Sequence, residues 1–471
     1  MENHRTTPIF LLEKKEVELI KPAKPTPLEV LSLSTIDNDP NLEILCQSIY
    51  VYQANCIPSN GNAHGPKQEV NLLADPASVI KDAISKVLVH YYPLAGKLKR
   101  QTDGKLQITC NGDGVPFLEA TADCELSTLL HLDGIDVEIV KAFVFDFPSK
   151  SEHGYHPLVF QVTKFSCGGF TLGMGLSHSV CDGFGASQLF RALAELASGK
   201  SEPTVKPVWE RHRLAVEKPS QEPVQFPVDR DSLATSPHLP TTDILHESFF
   251  VSSESITRLK MQLMKQCGGD ETLKESFTTL EVLGAYIWRA RFRAFELNPD
   301  GKTLFSLATG IRQRLNPPLP SGYYGNAFVG SNVIMTGRDL NERPLSSVVK
   351  LIKESKKQAS CADYIWKQIN MLDKVRELNI KIEVGSGASM VLTDWRQLRL
   401  LEELDFGWKA LVNMIPVPWN MFGYVDLCIF LPPCNLDPSI KGGVRVLVSL
   451  PRASMPKFKE EMLALVKLGD D

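Results

Sequence analysis

The sequence lacks the features that mark membrane, exported and nucleic-acid-binding proteins. No stretch approaches the roughly 18 consecutive apolar residues that cross a bilayer, and the apolar run at residues 9–12 is too short for the core of a signal peptide. The 51 lysines and arginines are balanced by 55 aspartates and glutamates, which gives a net charge of −4. These absences predict a cytoplasmic protein whose partners are small molecules, without nucleic acid or membrane among them.

The sequence also lacks paired cysteines. Its ten cysteines are scattered, and none of them forms a C-x-x-C motif. This spacing predicts neither a zinc site nor a redox-active dithiol. Ten thiols without a disulfide framework are typical of a reducing compartment, which agrees with a cytoplasmic location.

The chain is long enough for two domains. It has 471 residues, of which 43% are hydrophobic and 23% are charged, as in average globular proteins. Residues 200–242 are rich in proline, serine and charge and have little periodicity, which predicts a long surface connection. The predicted organisation is a first lobe over residues 1–205, a connection over residues 206–242 and a second lobe over residues 243–471.

Strand-like and helix-like segments alternate in the first half. Apolar and β-branched runs predict strands at residues 44–51, 157–165 and 170–176. A helix is predicted to begin at Asp75, which is followed by a proline and by apolar residues at helical spacing. Another helix is predicted over residues 185–197. This alternation is typical of an α/β fold.

The most distinctive local feature is His178-x-x-x-Asp182-Gly183, which lies between a predicted strand and a predicted helix. Strand ends in α/β folds present side chains to ligand crevices, and Gly183 permits a sharp turn there. His178 is therefore a candidate for chemistry, although a core histidine bonded to Asp182 has the same pattern. Cys181 as a nucleophile is disfavoured because no separate activating histidine is evident.

A second helix start occurs at Thr278-Thr279-Leu280-Glu281, which has the spacing of a capping box. The free amide groups of such a start can bind a phosphate. They can equally be satisfied by the Thr278 side chain, and the sequence leaves both alternatives open.

Several segments, taken together and in order, resemble the BAHD acyltransferase family over nearly the whole chain. They are LVHYYPLAGK at residues 88–97, QVTKF at 161–165, HSVCDG at 178–183, PPLPSGYYGN at 317–326, and TDWR at 393–396 followed by DFGWK at 405–409. Each segment alone is moderately specific, whereas the ordered set is highly specific.

The resemblance implies an α/β protein of two chloramphenicol-acetyltransferase-like lobes with a solvent channel between them. His178 would lie at the centre of the channel and act as general base. Asp182 would be structural and would pair with Arg312. The resemblance further implies a monomer that uses acyl-coenzyme A as co-substrate and binds no metal or other cofactor.

The resemblance also suggests roles for residues further along the chain. Asp405, Gly407 and Trp408 would brace the interface between the lobes. Thr393 and Trp395 would lie in the channel wall as candidate oxyanion donors, although such residues near strand ends more often only pack. Thr278 and Thr279 would lie in the channel for the substrate or coenzyme A.

Three stretches, at residues 11–19, 31–40 and 239–243, are similar to spermidine hydroxycinnamoyltransferases of plant specialised metabolism. They suggest that an aromatic acyl group is transferred to a polyamine nitrogen. Lys409 argues against this acceptor, because a cation in the channel would repel a polyamine by about 1–4 kcal/mol. The alternative is an O-acyltransferase that esterifies an alkaloid or terpenoid hydroxyl with a benzoyl, acetyl or cinnamoyl donor.

Overall fold

The computed structural model describes residues 10–53, 75–146, 152–217, 226, 228–266, 277–380, 385–401, 406, 411–417 and 425–468. The first half contains β1 (Leu12–Lys14), β2 (Glu18–Ile20), β3 (Glu29–Ser32), β4 (Leu45–Tyr52), α1 (Pro76–His90), β5 (Lys97–Arg100), β6 (Leu106–Cys110), β7 (Val115–Ala122), α2 (Val137–Val140), β8 (Leu158–Phe165), β9 (Phe170–Ser177) and α3 (Gly183–Ala197). In the parts of the chain so described, no helix is both long enough and apolar enough to cross a membrane.

The second half has the same mixture of strands and helices. It contains β10 (Ile244–Val251), α4 (Ser253–Gln266), α5 (Thr279–Ala294), β11 (Lys302–Gly310), β12 (Phe328–Thr336), α6 (Gly337–Glu342), α7 (Leu345–Gln358), α8 (Ala362–Glu377), β13 (Ser389–Asp394), β14 (Leu411–Pro416), β15 (Leu427–Leu431), β16 (Val444–Pro451) and α9 (Met455–Lys467).

The first sheet has the strand order β1-β7-β8-β9-β4-β14, with β2 also paired to β7. Strands β7 and β8 are parallel, and β9 is antiparallel to both β8 and β4. Helices α1 and α3 pack on one face, and a second apolar cluster that includes Phe143 covers the other. Burial on both faces explains why the predicted strands here read as nearly continuous apolar runs.

The second sheet has the strand order β10-β16-β15-β13-β11-β12. Its centre is parallel, because β13 runs parallel to both β11 and β15. Helices α4, α5, α7 and α9 share an apolar core with this sheet. The sheets do not follow a simple division of the chain, because β14 of the second half pairs with β4 in the first sheet.

The predicted start of α1 is confirmed. The Asp75 carboxylate accepts a hydrogen bond from the Ser78 amide at 3.0 Å, and Pro76 occupies the first helical position. Ile80, Ile84 and the other apolar residues at helical spacing are buried. The cap satisfies an amide that the helix itself leaves open, and burial of the apolar face holds the helix on the sheet.

The interpretation of residues 200–242 as a purely surface connection is wrong for part of that segment. Val208 forms a bridge to Tyr323, and Leu233 forms a bridge to Lys302. The Arg211 side chain is only 2% exposed. The composition of the segment is polar, but Arg211 is buried because a carboxylate pairs with its guanidinium and three aromatic rings lie against it.

Candidate active site

His178 directly follows β9, and its main chain is held on both sides. Its amide donates to the Ile44 carbonyl at 2.9 Å, which continues the pairing of β9 with β4 by one residue. Its carbonyl accepts from Asn326 Nδ2 at 2.6 Å. The end of a buried strand and a side chain from the second half therefore fix the position of this residue together.

The His178 imidazole is half-buried, and its ring meets the Phe328 ring edge-on at a centroid distance of 5.9 Å. Burial lowers the pKa of His178 below its ordinary value of 6.5, and the charge of Asp182 offsets this only in part. The imidazole is therefore neutral at physiological pH, which is the form that a general base needs.

Asp182 caps helix α3. Its Oδ1 accepts from the Gly185 amide at 2.9 Å, and its Oδ2 accepts from the Ala327 amide at 3.1 Å. Two further bonds come from Arg312, at 2.8 and 2.9 Å. Burial by itself raises the pKa of Asp182, but the Arg312 charge and these bonds outweigh it and hold the pKa below its usual value. Both carboxylate oxygens are thus engaged in holding structure.

Arg312 comes two residues after β11, and it forms the ion pair with Asp182 that the family resemblance implies. The same guanidinium donates to the Gly325 carbonyl at 2.7 Å and to the Tyr323 carbonyl at 3.3 Å. It also lies over the Phe184 ring, 4.5 Å from the ring centroid. Because Asp182 belongs to the first half of the chain and Arg312 to the second, this pair ties the two lobes together beside His178.

A second buried ion pair, which the sequence did not reveal, lies on the other side of the motif. Asp37 is fully buried and accepts from Arg211 Nη1 at 2.8 Å. Arg211 Nη2 donates to the Val180 carbonyl at 2.7 Å. Asp37 Oδ1 also accepts from Asn326 Nδ2 at 2.7 Å, and that amide is the one that donates to His178. We call Asp37, Arg211 and Asn326 the buried brace.

The buried brace requires a glycine beside it. A Cβ at Gly325 would overlap the Arg211 guanidinium, so a larger residue would displace the arginine. Gly325 and Asn326 both lie in the segment that resembles the family, and Asp37 lies in the stretch at residues 31–40. The motifs therefore contained the signal for two members of the brace, whereas Arg211 had none because its segment is polar.

Asn326→Ala is expected to loosen the His178 turn. The change removes hydrogen bonds to Asp37 and to the His178 carbonyl, and unsatisfied buried groups cost about 1–3 kcal/mol each. The free energy of unfolding should fall by about 2–4 kcal/mol, measured by urea denaturation. The turnover number should fall as well. Asn341→Ala is the control, because Asn341 is exposed; equal losses in the two variants would contradict the brace.

Thr278 and Thr279 have different contacts. The Thr278 hydroxyl accepts from the Glu281 amide at 3.3 Å, and Glu281 in turn accepts from the Thr278 amide at 2.8 Å, which completes a capping box. The Thr279 hydroxyl accepts from Lys260 Nζ at 3.0 Å. Thr278 is thus occupied by its own helix, and Thr279 lies beside a cation.

Lys260 has an electrostatic environment that favours an anion. Burial lowers the pKa of Lys260 and the nearby charge of Arg396 lowers it further, whereas the charge of Glu281 raises it. Arg396 forms a bidentate pair with Asp394 at 2.7 and 2.8 Å. Within the described residues Lys260 forms no ion pair, so an incoming anion would compensate its charge.

Thr393 is the last residue but one of β13, and Trp395 begins the turn that follows the strand. Both are half-buried. Trp395 packs against the core of the first lobe, as does Leu398 of the same turn. The Leu398 carbonyl also accepts from the Ser187 hydroxyl of α3 at 2.7 Å. These contacts place Trp395 where the two lobes meet.

The other residues singled out in the second lobe, Asp405, Gly407, Trp408 and Lys409, lie outside the described residues. Their roles stay predictions.

Comparison with known proteins identifies the family. A family model described as the Transferase family matches residues 10–465. The chain is 45% identical over 464 residues to a spermidine coumaroyl-CoA acyltransferase of Arabidopsis thaliana, covering 98% of this chain and 96% of that protein. The chain belongs to the BAHD acyltransferase family. The resemblance found in the motifs is thereby confirmed.

Two further comparisons agree with this family. Identity to a spermidine sinapoyl-CoA acyltransferase of Arabidopsis thaliana is 42% over 460 residues, with 97% of this chain and 98% of that protein covered. The crystal structure of vinorine synthase matches with a TM-score of 0.73 at 23% identity, covering 97% of this chain and 98% of that one. The predicted two-lobe α/β fold is confirmed by this likeness.

Proposed function

We propose that this protein transfers an aromatic, hydroxycinnamoyl-type acyl group from a coenzyme A thioester to an amine of spermidine or a similar polyamine. The observation that carries the proposal is full-length identity of 45% and 42% to two acyltransferases named for spermidine and an aromatic acyl-CoA. The neutral, half-buried His178 beside a braced turn supports an acyl transfer of this kind. A cytoplasmic location and a monomeric state stay predictions.

His178 acts as the general base in this reaction. Its imidazole takes a proton from the acceptor nitrogen as that nitrogen attacks the thioester carbonyl carbon. The carbon–sulfur bond then breaks, and the imidazolium returns the proton to the departing sulfur of coenzyme A. Such general-base assistance contributes about 10²–10⁴ in rate. The acyl group passes directly to the acceptor, so no acyl-enzyme is needed.

Asp182 and Arg312 position this base without touching the reacting atoms. The Asp182 carboxylate accepts hydrogen bonds from Arg312 and from two backbone amides. Its negative charge still favours the imidazolium that forms during proton transfer, because the carboxylate acts electrostatically on His178. The brace on the other side keeps the same turn from relaxing.

The cluster of Lys260, Thr279 and Arg396 binds the phosphates of coenzyme A in this proposal. An anion here would pair with the partly desolvated Lys260 ammonium and could accept a hydrogen bond from the neighbouring Thr279 hydroxyl. Thr279 thus lines the coenzyme A site in this proposal, whereas Thr278 caps the helix.

Lys260→Ala is expected to raise KM for the acyl-coenzyme A about tenfold, which corresponds to one charge-assisted hydrogen bond of about 1.5 kcal/mol. KM for the acceptor should change far less, because the acceptor meets His178 rather than this cluster. Steady-state kinetics with each substrate varied in turn measures both. Lys265→Ala is the matched control, since Lys265 is exposed on the same helix. A similar KM rise in both variants would indicate only general charge attraction.

The test of the function is a panel of acyl-coenzyme A thioesters against spermidine and representative terpenoid and alkaloid alcohols, with products identified by mass. Acylated spermidine is expected with an aromatic donor. Esters formed while spermidine stays unmodified would establish the O-acylating alternative. Release of free coenzyme A without any acylated product would indicate a thioesterase.

A further inference from the structure

The loop over residues 37–44 is joined to His178 at both of its ends. At one end, Asp37 accepts from Asn326, which also donates to the His178 carbonyl. At the other end, the Ile44 carbonyl accepts from the His178 amide at 2.9 Å. Asp39 lies on the loop between these two attachments, and the charge of His178 acts on the pKa of its carboxyl.

Asp39 is half-buried, and its two carboxylate oxygens differ in their contacts. Oδ1 accepts from the Asn41 amide at 2.9 Å and from Asn41 Nδ2 at 2.8 Å. Oδ2 accepts no hydrogen bond from any residue that the structure describes. Asn41 also donates to the Ile380 carbonyl, which follows α8 of the second lobe. The carboxylate therefore lies where the two lobes meet, with one oxygen available to a ligand.

The charge of Asp39 is poorly compensated by the protein. The cation near it, Arg100, forms an ion pair with Glu43 at 2.7 Å, and these two charges largely cancel. Burial raises the pKa of Asp39, and the bonds from Asn41 and the charges of His178 and Arg100 offset only part of this effect. A bound cation would stabilise the ionised carboxylate, because it would supply a positive charge to pair with Asp39.

We propose that Asp39 binds an ammonium group of the acceptor polyamine and so places a neighbouring amine of the same molecule at His178. This inference rests on the proposed function, and it supplies the acidic group that a polycationic acceptor requires. The reacting nitrogen must be neutral to attack, whereas the other nitrogens stay charged near pH 7. A carboxylate beside the base separates these two roles, since it holds a charged nitrogen and leaves the neutral one free to react.

The test compares spermidine with hexylamine, which has a primary amine but no second cation, in the wild type and in Asp39→Asn. The asparagine keeps an oxygen that can accept from the Asn41 amide, so the local cap is retained. The ratio of kcat/KM for spermidine to that for hexylamine is expected to fall about tenfold to hundredfold, mainly through KM for spermidine. An effect of the charge on His178 itself changes both acceptors alike and cancels in the ratio.

Asp300→Asn is the control, because it removes one exposed negative charge in the second lobe. A ratio within about twofold of the wild type in Asp39→Asn overturns the Asp39 subsite, and so does an equal fall in Asp300→Asn. If the wild type acylates spermidine, either result leaves the proposed function intact. If the wild type acylates only alcohols or hexylamine, the proposed function fails and this subsite fails with it.

Discussion

His178→Ala is expected to lower kcat for acyl transfer by at least about 10²-fold, because the variant has no group to take the proton from the attacking nitrogen. The backbone bonds of residue 178 to Ile44 and Asn326 do not depend on the side chain. The fold should therefore persist, and binding of coenzyme A should be retained. Single-turnover product formation and calorimetric binding of coenzyme A measure the two properties separately.

The control for this variant is His90→Ala, at the last position of α1. Removing a partly exposed histidine at a helix end should cost less than about 1 kcal/mol and leave transfer unchanged. A His178→Ala protein that keeps more than about a tenth of the wild-type rate would show that another group takes the proton. Loss of coenzyme A binding would show instead that the side chain shapes the site.

The local elements around the site could be predicted from sequence because their signals are local. The apolar run of β9, the cap at Asp75 and the capping box at Thr278 each lie within a few residues, and the structure contains all three. Helix α3 begins at Gly183, two residues before the predicted start, because Asp182 is its cap.

The brace could not be predicted because its contacts join distant parts of the chain. Asp37 meets Arg211 across 174 positions and Asn326 across 289. No periodicity or turn signal reports such pairs, and the polar composition around Arg211 favoured a surface assignment. The pairing of β14 with β4 also joins distant parts of the chain, since β14 lies in the second half. In contrast, Arg312 could be assigned as the partner of Asp182 only through the family resemblance.

The two buried ion pairs hold opposite sides of one short turn. Arg312 holds Asp182 at its end, and Arg211 holds the Val180 carbonyl within it. Removing two charges from water costs several kcal/mol per ion, so such pairs persist where hydrogen bonds satisfy nearly every polar atom. Here each carboxylate accepts at least three hydrogen bonds. The main effect of the two ion pairs is thus to fix the conformation of the turn that begins at His178. Their contribution to the net free energy of folding is smaller.

Asp182→Asn is expected to lower the free energy of unfolding by about 3–5 kcal/mol, because it leaves the Arg312 charge buried without its partner. Soluble yield and kcat should fall with it. Urea denaturation measures the change. Asp339→Asn is the control: Asp339 pairs with Arg343 at 3.0 Å on the surface, where the loss should stay below about 1 kcal/mol.

The difference in unfolding free energy between the wild type and Asp182→Asn should depend on pH in a definite direction. The pKa of Asp182 is lowered from 3.8 in the folded protein. Its stabilisation is therefore present at neutral pH and is lost as the pH falls below about 4 and through the folded-state value. The gap in stability between wild type and Asp182→Asn should be widest near neutral pH and should narrow in acid. A gap that widens in acid would contradict the ion pair as the cause.

A second variant separates the structural role of Asp182 from a catalytic one. Adding Arg312→Gln to Asp182→Asn removes both charges, so the double variant should be less destabilised than the sum of the two single changes. Recovery of stability should then restore part of kcat if Asp182 only holds the turn. A stable Asp182→Asn protein that binds both substrates normally yet stays inactive would give the opposite conclusion. The carboxylate would then act in the chemistry itself, by orienting the imidazole of His178.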